Sequence, residues 1–138
     1  MRVVLDTNIL VSALISPRGA PAFIHSCWEE RRFTLLICPE QIAELRATFR
    51  KPSVAALIRS HQVGRQLNQF KRLAQHVGPL PAVERSVDPD DDFLLAMCEA
   101  GDADYLVTGD KSDLLSLRRH KRTRIVSAAA FARILGRD

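Results

Sequence analysis

Four short apolar runs set the terms for what this chain can fold into: Arg2-Val3-Val4-Leu5, Phe33 to Cys38, Tyr105-Leu106-Val107-Thr108 and Ile125-Val126. Each is rich in branched or aromatic residues and too short for a helix, so each reads as a strand. Helical spacing follows the first from Asn8 to Ile15, the second from Pro39 with Ile42, Leu45 and Phe49 on one face, and the fourth from Ser127 to Leu135. Pro21 opens a further helix to about Arg31, with Phe23, Ile24, Cys27 and Trp28 as its apolar stripe. From Ser53 to Ala74 the pattern predicts an αα-hairpin broken near Gly64, and Ala82 to Val87 a short extra strand. Asp88-Pro89-Asp90-Asp91-Asp92 is an acidic start for the helix of Phe93 to Ala100, ended by Gly101. Such βα alternation predicts an α/β fold, a three-layer α/β/α sandwich around a mostly parallel sheet of about five strands.

At 138 residues and 46% apolar the chain is expected to form one domain, residues 1–138, large enough to fold without disulfides. Cys27, Cys38 and Cys98 are odd in number, far apart and set among apolar residues, which predicts buried free thiols in a reducing cytoplasm. Met1 to Ile15 is cut by Asp6 and Asn8, unlike a secretory leader, and no stretch approaches the roughly 20 apolar residues of a membrane span. The net charge of +4 is unevenly spread: Arg118, Arg119, Lys121, Arg122 and Arg124 crowd one stretch, and Arg46, Arg50 and Lys51 another. These cations are either phosphate contacts for a polyanion or solvated basic segments.

Acids fall where such a sheet presents its ligands. In a parallel α/β sheet the carboxyl ends of the strands and the amino ends of the following helices share one rim. Asp6 ends the first run, Asp110 leaves the Tyr105 to Thr108 run, Asp92 sits in the first turn of its helix, and Glu44 lies ~7 Å along the helix that Pro39 opens. Taken singly, Asp6 and Asp92 read as helix caps and Glu44 as a solvated helix residue. Taken together, four acids on four βα units point to a divalent cation, because clustered carboxylates repel one another without one. Asp102 and Asp104 precede a strand and read as loop residues at the opposite edge. No Gly-x-Ser-x-Gly elbow and no close histidine pair suggest a covalent nucleophile; His25, His61, His76 and His120 read as surface or packing residues.

Asp6-Thr7-Asn8-Ile9-Leu10, Glu44 within Pro39 to Leu45, Asp92 in the acidic run and Thr108-Gly109-Asp110 together resemble the successive motifs of PIN domains, over essentially the whole chain. The 18 residues from Asp92 to Asp110 are similar to the spacing of that family's third and fourth acids, although Asp90 and Asp91 stand beside Asp92. Among PIN proteins the chain is most similar to bacterial stand-alone members, which include VapC-type toxins. The resemblance implies a Mg²⁺- or Mn²⁺-dependent endoribonuclease, and a small antitoxin protein as partner. Most such toxins form dimers, although no surface stripe here marks a homodimer interface.

On that reading Asp6 and Asp110 anchor one or two metal ions, and Asp92 joins them or holds a second ion. Glu44 orients or deprotonates the attacking water and stands as a further candidate ligand. Asp113, one turn beyond Asp110, is either a further ligand or a cap. Asn8 and Thr108 support the ligands by hydrogen bonds. Arg46, Arg50, Lys111, Arg118 and Arg119 are the candidates for contact with RNA phosphates, and shape rather than sequence is the default mode of recognition. A catalytically inactive PIN-like scaffold that binds RNA or a partner is the alternative. Receiver domains and haloacid-dehalogenase-like phosphatases, which share a doubly wound sheet with rim acids, fit less well. A single Asp ends the first strand, no Lys follows the last, and Asp6-Thr7-Asn8 replaces Asp-x-Asp.

Overall fold

The computed structural model describes residues 1–86, 88–109 and 112–137, with the side chain of Ser112 outside that description. Its strands are β1 (Arg2–Leu5), β2 (Thr34–Ile37), β3 (Gln75–His76), β4 (Tyr105–Thr108), β5 (Arg119–His120) and β6 (Thr123–Ser127). Its helices are α1 (Thr7–Ile15), α2 (Ala20–Glu29), α3 (Pro39–Arg50), α4 (Pro52–Ala55), α5 (Ser60–Leu73), α6 (Pro89–Gly101), α7 (Ser112–Leu117) and α8 (Ala128–Ile134). The sheet runs in the order β3-β2-β1-β4-β6-β5, and every pair is parallel except β5 with β6.

The predicted sandwich is therefore present, with six strands among the described residues. Period-2 alternation sorts the central strands between two cores. Val3, Leu5, Leu35, Ile37 and Val107 face a core completed by α1, α2, α3, α5 and α8. Val4, Leu36, Leu106 and Ile125 face the other, completed by Leu94, Leu95, Met97 and Cys98 of α6 and Leu114 of α7. Both faces are buried, which is why these strands read as unbroken apolar runs. Aromatic rings fasten the outer helices: Trp28 lies 5.4 Å from Phe70, and Phe131 lies 5.4 Å from Tyr105.

Several local expectations are corrected. Ala82 to Ser86 form no strand, and Val87 lies outside the described residues. The edges are instead completed by the two-residue strands β3 and β5. The hairpin break comes before Ser60, while Gly64 is carried, exposed, inside α5. Asp104 is at the opposite edge as expected but is no free loop residue, because it accepts the Arg2 backbone N–H at 2.8 Å and pairs with Arg122 at 2.7 Å. The Arg2 bond, then the Arg122 contact, hold its carboxyl below the usual aspartate range. His120 is buried between Glu99 at 2.6 Å and Arg85 at 2.7 Å, and His25 packs edge-on to Trp28 at 5.5 Å, its pKa lowered by burial.

All three cysteines are free and buried. Burial pushes the thiols of Cys38 and Cys98 up to about 12, so neither supplies thiolate at neutral pH. At pH 8 the native protein is expected to resist a thiol reagent that labels all three cysteines in denaturant. Rapid labelling of Cys38 in the native state would show that the start of α3 opens.

Candidate functional site

The chain winds outward from β1 to β2 and β3, then returns to the other side of β1 with β4 and β6. This reversal opens a crevice between the carboxyl ends of β1 and β4, the place where doubly wound sheets bind ligands. The two strand ends are tied there, since the Asp6 backbone N–H donates to the Val107 carbonyl at 2.9 Å. Asp6 sits on this crevice, 1% exposed. Its Oδ1 accepts the Asn8 backbone N–H at 3.2 Å, which also caps α1, and the buried Thr108 hydroxyl donates to Oδ2 at 2.9 Å. Capping and site-building are thus one arrangement: the same bonds that start α1 fix the plane of the carboxylate. The Asn8 side chain is exposed, and its backbone rather than its amide makes the contact.

Asp110 and Lys111, both named from the sequence, lie outside the described residues. Gly109, which precedes them, ends β4 at the crevice. Asp113 is exposed in the first turn of α7.

The acidic run resolves into three different environments. Asp88 caps α6 through the Asp90 N–H at 3.0 Å, and Asp90 is exposed. Asp91 is 3% exposed. Asp92 is half-buried and accepts the backbone N–H groups of Arg85 at 3.2 Å and Ser86 at 2.7 Å. Helix α6 runs from the carboxyl rim down to the start of β4, so its first turn lies at the level of the crevice. Asp91 is three and four residues before Leu94 and Leu95, on the face α6 packs against the sheet. That periodicity is present in the sequence; the spacing to Asp110 alone does not separate neighbours.

Glu44 is exposed on α3. One turn before it, Gln41 is wholly buried and its Nε2 donates to the carbonyl of Leu5 at 2.7 Å, one residue before Asp6. Helical side chains lean toward the amino end of their helix, which for α3 is the end that leaves β2 at the rim. Gln41 lies within the Pro39 to Leu45 motif without being its acid, and a polar residue four before Leu45 on the apolar stripe is a detectable anomaly.

Beside Asp6 the rim opens into a cleft of about 540 Å³ between Asn8 and Ser12 of α1, Ala20 at the start of α2, Gly109, and Ser127 and Ala128 where β6 meets α8. A larger hollow of about 640 Å³ lies at the other edge of the sheet, around Arg31, Thr34 and Arg72. Among the described residues it contains none of the rim acids, so its size does not make it the site.

The basic stretches are not brought to the crevice. Arg119 pairs with Arg124, three residues or roughly 10 Å of strand below Ser127 at the rim. Lys121 and Arg122 are spent on Glu99 at 2.8 Å and Asp104 at 2.7 Å, and the Lys121 bond, followed by His120, lowers the Glu99 pKa. Arg118 is exposed at the entry to β5. Arg46 and Arg50 flank a separate groove of about 290 Å³ with Phe49, Ile58 and Leu67.

Among the described residues no three His, Cys, Asp or Glu side chains converge as a ready metal site. The chemistry around Asp6 nevertheless fits a hard divalent cation. The potential donors are oxygens, and two buried ones, Thr7 Oγ1 and Gln41 Oε1, have no hydrogen-bond partner among the described residues. Buried polar atoms are seldom left unpaired, so a solvated ion or water belongs beside them.

A doubly wound sheet with a buried carboxylate at its switch point has the build of a ligand-binding α/β domain. The PIN domain family model matches residues 2–112, and the chain belongs to that family. PIN domains are generally nucleases and generally use divalent metals. A protein of Methanocaldococcus jannaschii, described only as "Uncharacterized protein MJ1680", is 28% identical over 119 residues, covering 86% of this chain and 76% of its own length. Among the described residues no helix is long and apolar enough to cross a membrane.

Proposed function

We propose that this chain is a Mg²⁺- or Mn²⁺-dependent endoribonuclease that hydrolyses phosphodiester bonds in RNA. The observation that carries the reading is the buried, hydrogen-bonded Asp6 at the switch-point crevice, flanked by Thr7, which follows it, and by Gln41 bonded to Leu5, each with a buried oxygen that has no partner among the described residues. Asp6, Asp91 and Asp110 would hold one or two ions, with Glu44 and Asp113 at the margin; burial favours Asp91 over Asp92 for this part. A cation so held would supply Lewis acidity, lowering the pKa of bound water and offsetting charge on the non-bridging phosphate oxygens.

The chain's own side chains do the rest. Thr108 and the Asn8 backbone fix the Asp6 carboxylate plane, so its geometry is set before substrate arrives. Glu44 of α3 orients the attacking water and takes its proton. The neighbouring cleft, small-walled and without charged side chains among the described residues of its lining, admits a nucleotide flanking the scissile phosphate. Arg46 and Arg50 contact phosphates farther along the strand, whereas Arg119 lies on the wrong part of the sheet for that role.

The resemblance to stand-alone PIN proteins supports a toxin of a toxin–antitoxin pair, working in the cytoplasm against a small antitoxin. Incubation of the protein with total cellular RNA and Mn²⁺ is expected to produce new RNA ends that EDTA prevents, and a co-purifying small protein is expected to suppress them. Intact RNA, together with a melting temperature unmoved by Mn²⁺, would instead make the chain an inactive scaffold.

A further inference from the structure

Gln41 occupies the third position of α3, where a glutamine ordinarily turns back to the backbone of its own N-cap. Here it does not. Its Nε2 crosses to β1 and donates to the Leu5 carbonyl at 2.7 Å, tying the start of α3 to the residue before Asp6. That bond decides which way the carboxamide faces, because a flipped amide would set oxygen against oxygen. The Oε1 atom is therefore committed to the opposite side, buried, with no donor among the described residues. Two residues beyond Leu5, the buried Thr7 hydroxyl is in the same condition. Leaving such atoms unpaired is costly, and the two flank Asp6 along the chain: Thr7 follows it, and Gln41 is bonded to the carbonyl of Leu5, which precedes it.

We propose that Gln41 is a positioning residue of the metal site, its Oε1 accepting a hydrogen bond from the hydration shell of a divalent cation at Asp6, with Thr7 serving the same shell. The inference rests on the metal-dependent reading above. It follows from the chemistry of both partners. Mg²⁺ sheds water reluctantly and usually keeps several molecules, each needing acceptors in its surroundings. An amide oxygen fixed from behind by the Leu5 contact is such an acceptor, neutral and therefore adding no repulsion to the acids. The competing account is an ordinary buried water that bridges Thr7 and Gln41 whether or not a cation is present.

The two accounts separate on metal affinity measured apart from cleavage. Free Mn²⁺ is followed by its electron paramagnetic resonance signal during titration of wild type, Gln41→Met and Thr7→Val, and each protein is melted in EDTA. Thr7→Val removes only the hydroxyl and leaves the Leu5 tether intact, so it serves if Gln41→Met folds poorly. The expected result is Mn²⁺ affinity reduced roughly 10- to 100-fold in each folded variant, with Thr7→Val at least as stable as wild type in EDTA. Wild-type Mn²⁺ affinity in Thr7→Val, with stability in EDTA lowered, would overturn the proposal in favour of the bridging water. Absence of Mn²⁺ binding by wild type itself would remove the metal reading along with it, and is told apart by the first titration.

Discussion

Asp91→Asn is expected to depress Mn²⁺-dependent RNA cleavage as deeply as Asp6→Asn, by about 100-fold or more, while Asp92→Asn leaves the rate within roughly tenfold. The reason is the division of labour along one helical turn. Asp91 is on the packed face of α6, 3% exposed, at the level of the crevice. Asp92 turns outward to bind the Arg85 and Ser86 N–H groups, a stitch that holds the chain entering α6. Asparagine retains an acceptor there, so Asp92→Asn loses only the charge-assisted part, about 1 kcal/mol of stability. Asp6→Asn likewise keeps a side chain able to cap α1, since Asn and Asp are near-equal N-caps, and so tests metal chemistry rather than folding. Initial rates at saturating Mn²⁺, with melting curves in EDTA, distinguish the cases. If Asp92→Asn abolished cleavage and Asp91→Asn did not, the 18-residue spacing to Asp110 would be the better guide and the buried Asp91 a packing residue.

That contrast shows what could be read in advance and what could not. The central strands were legible because β1, β2 and β4 are buried on both faces, which forces continuous apolar runs. The edge strands β3 and β5 are two residues each, Gln75-His76 and Arg119-His120, and polar sequence that pairs on one side only leaves no pattern to find. The carboxyl rim followed from strand direction, and Asp6 with it. The orientation of neighbouring acids did not, because consecutive helical residues differ by about 100° of rotation. Only burial of Leu94, Leu95 and Cys98 fixes which of them turns inward. The placement of the basic stretch from Arg118 to Arg124 was hidden for a related reason: β5 reverses the chain, and the hairpin sets Arg119 beside Arg124 down the strand and brings Lys121 and Arg122 into pairs with Glu99 and Asp104.

A pair of glycine substitutions is expected to move stability in opposite directions. Gly101 closes α6 without a positive φ, so the backbone itself tolerates any side chain. What excludes one is proximity: an added Cβ would meet Leu36 Cδ1 at 2.6 Å and Val77 Cγ1 at 3.0 Å, in the core where α6 crosses β2. The Arg2 guanidinium also donates to the Gly101 carbonyl at 2.6 Å, which holds this end of the helix against the amino edge of the sheet and prevents an easy retreat. Gly101→Val is therefore expected to cost about 2–3 kcal/mol through overpacking, lowering the melting temperature by about 8–12 °C. Gly64 supplies the control. It lies exposed inside α5, and among the described residues nothing comes within 4 Å of a methyl added there. Gly64→Ala thus gains helix propensity and is expected to stabilise by about 0.5–1 kcal/mol. Equal gains from Gly64→Ala and Gly101→Ala would show that α6 does not press on Leu36. A clear loss at Gly101 would place the close helix–sheet approach among the constraints that hold α6, and with it Asp91, at the height of the crevice.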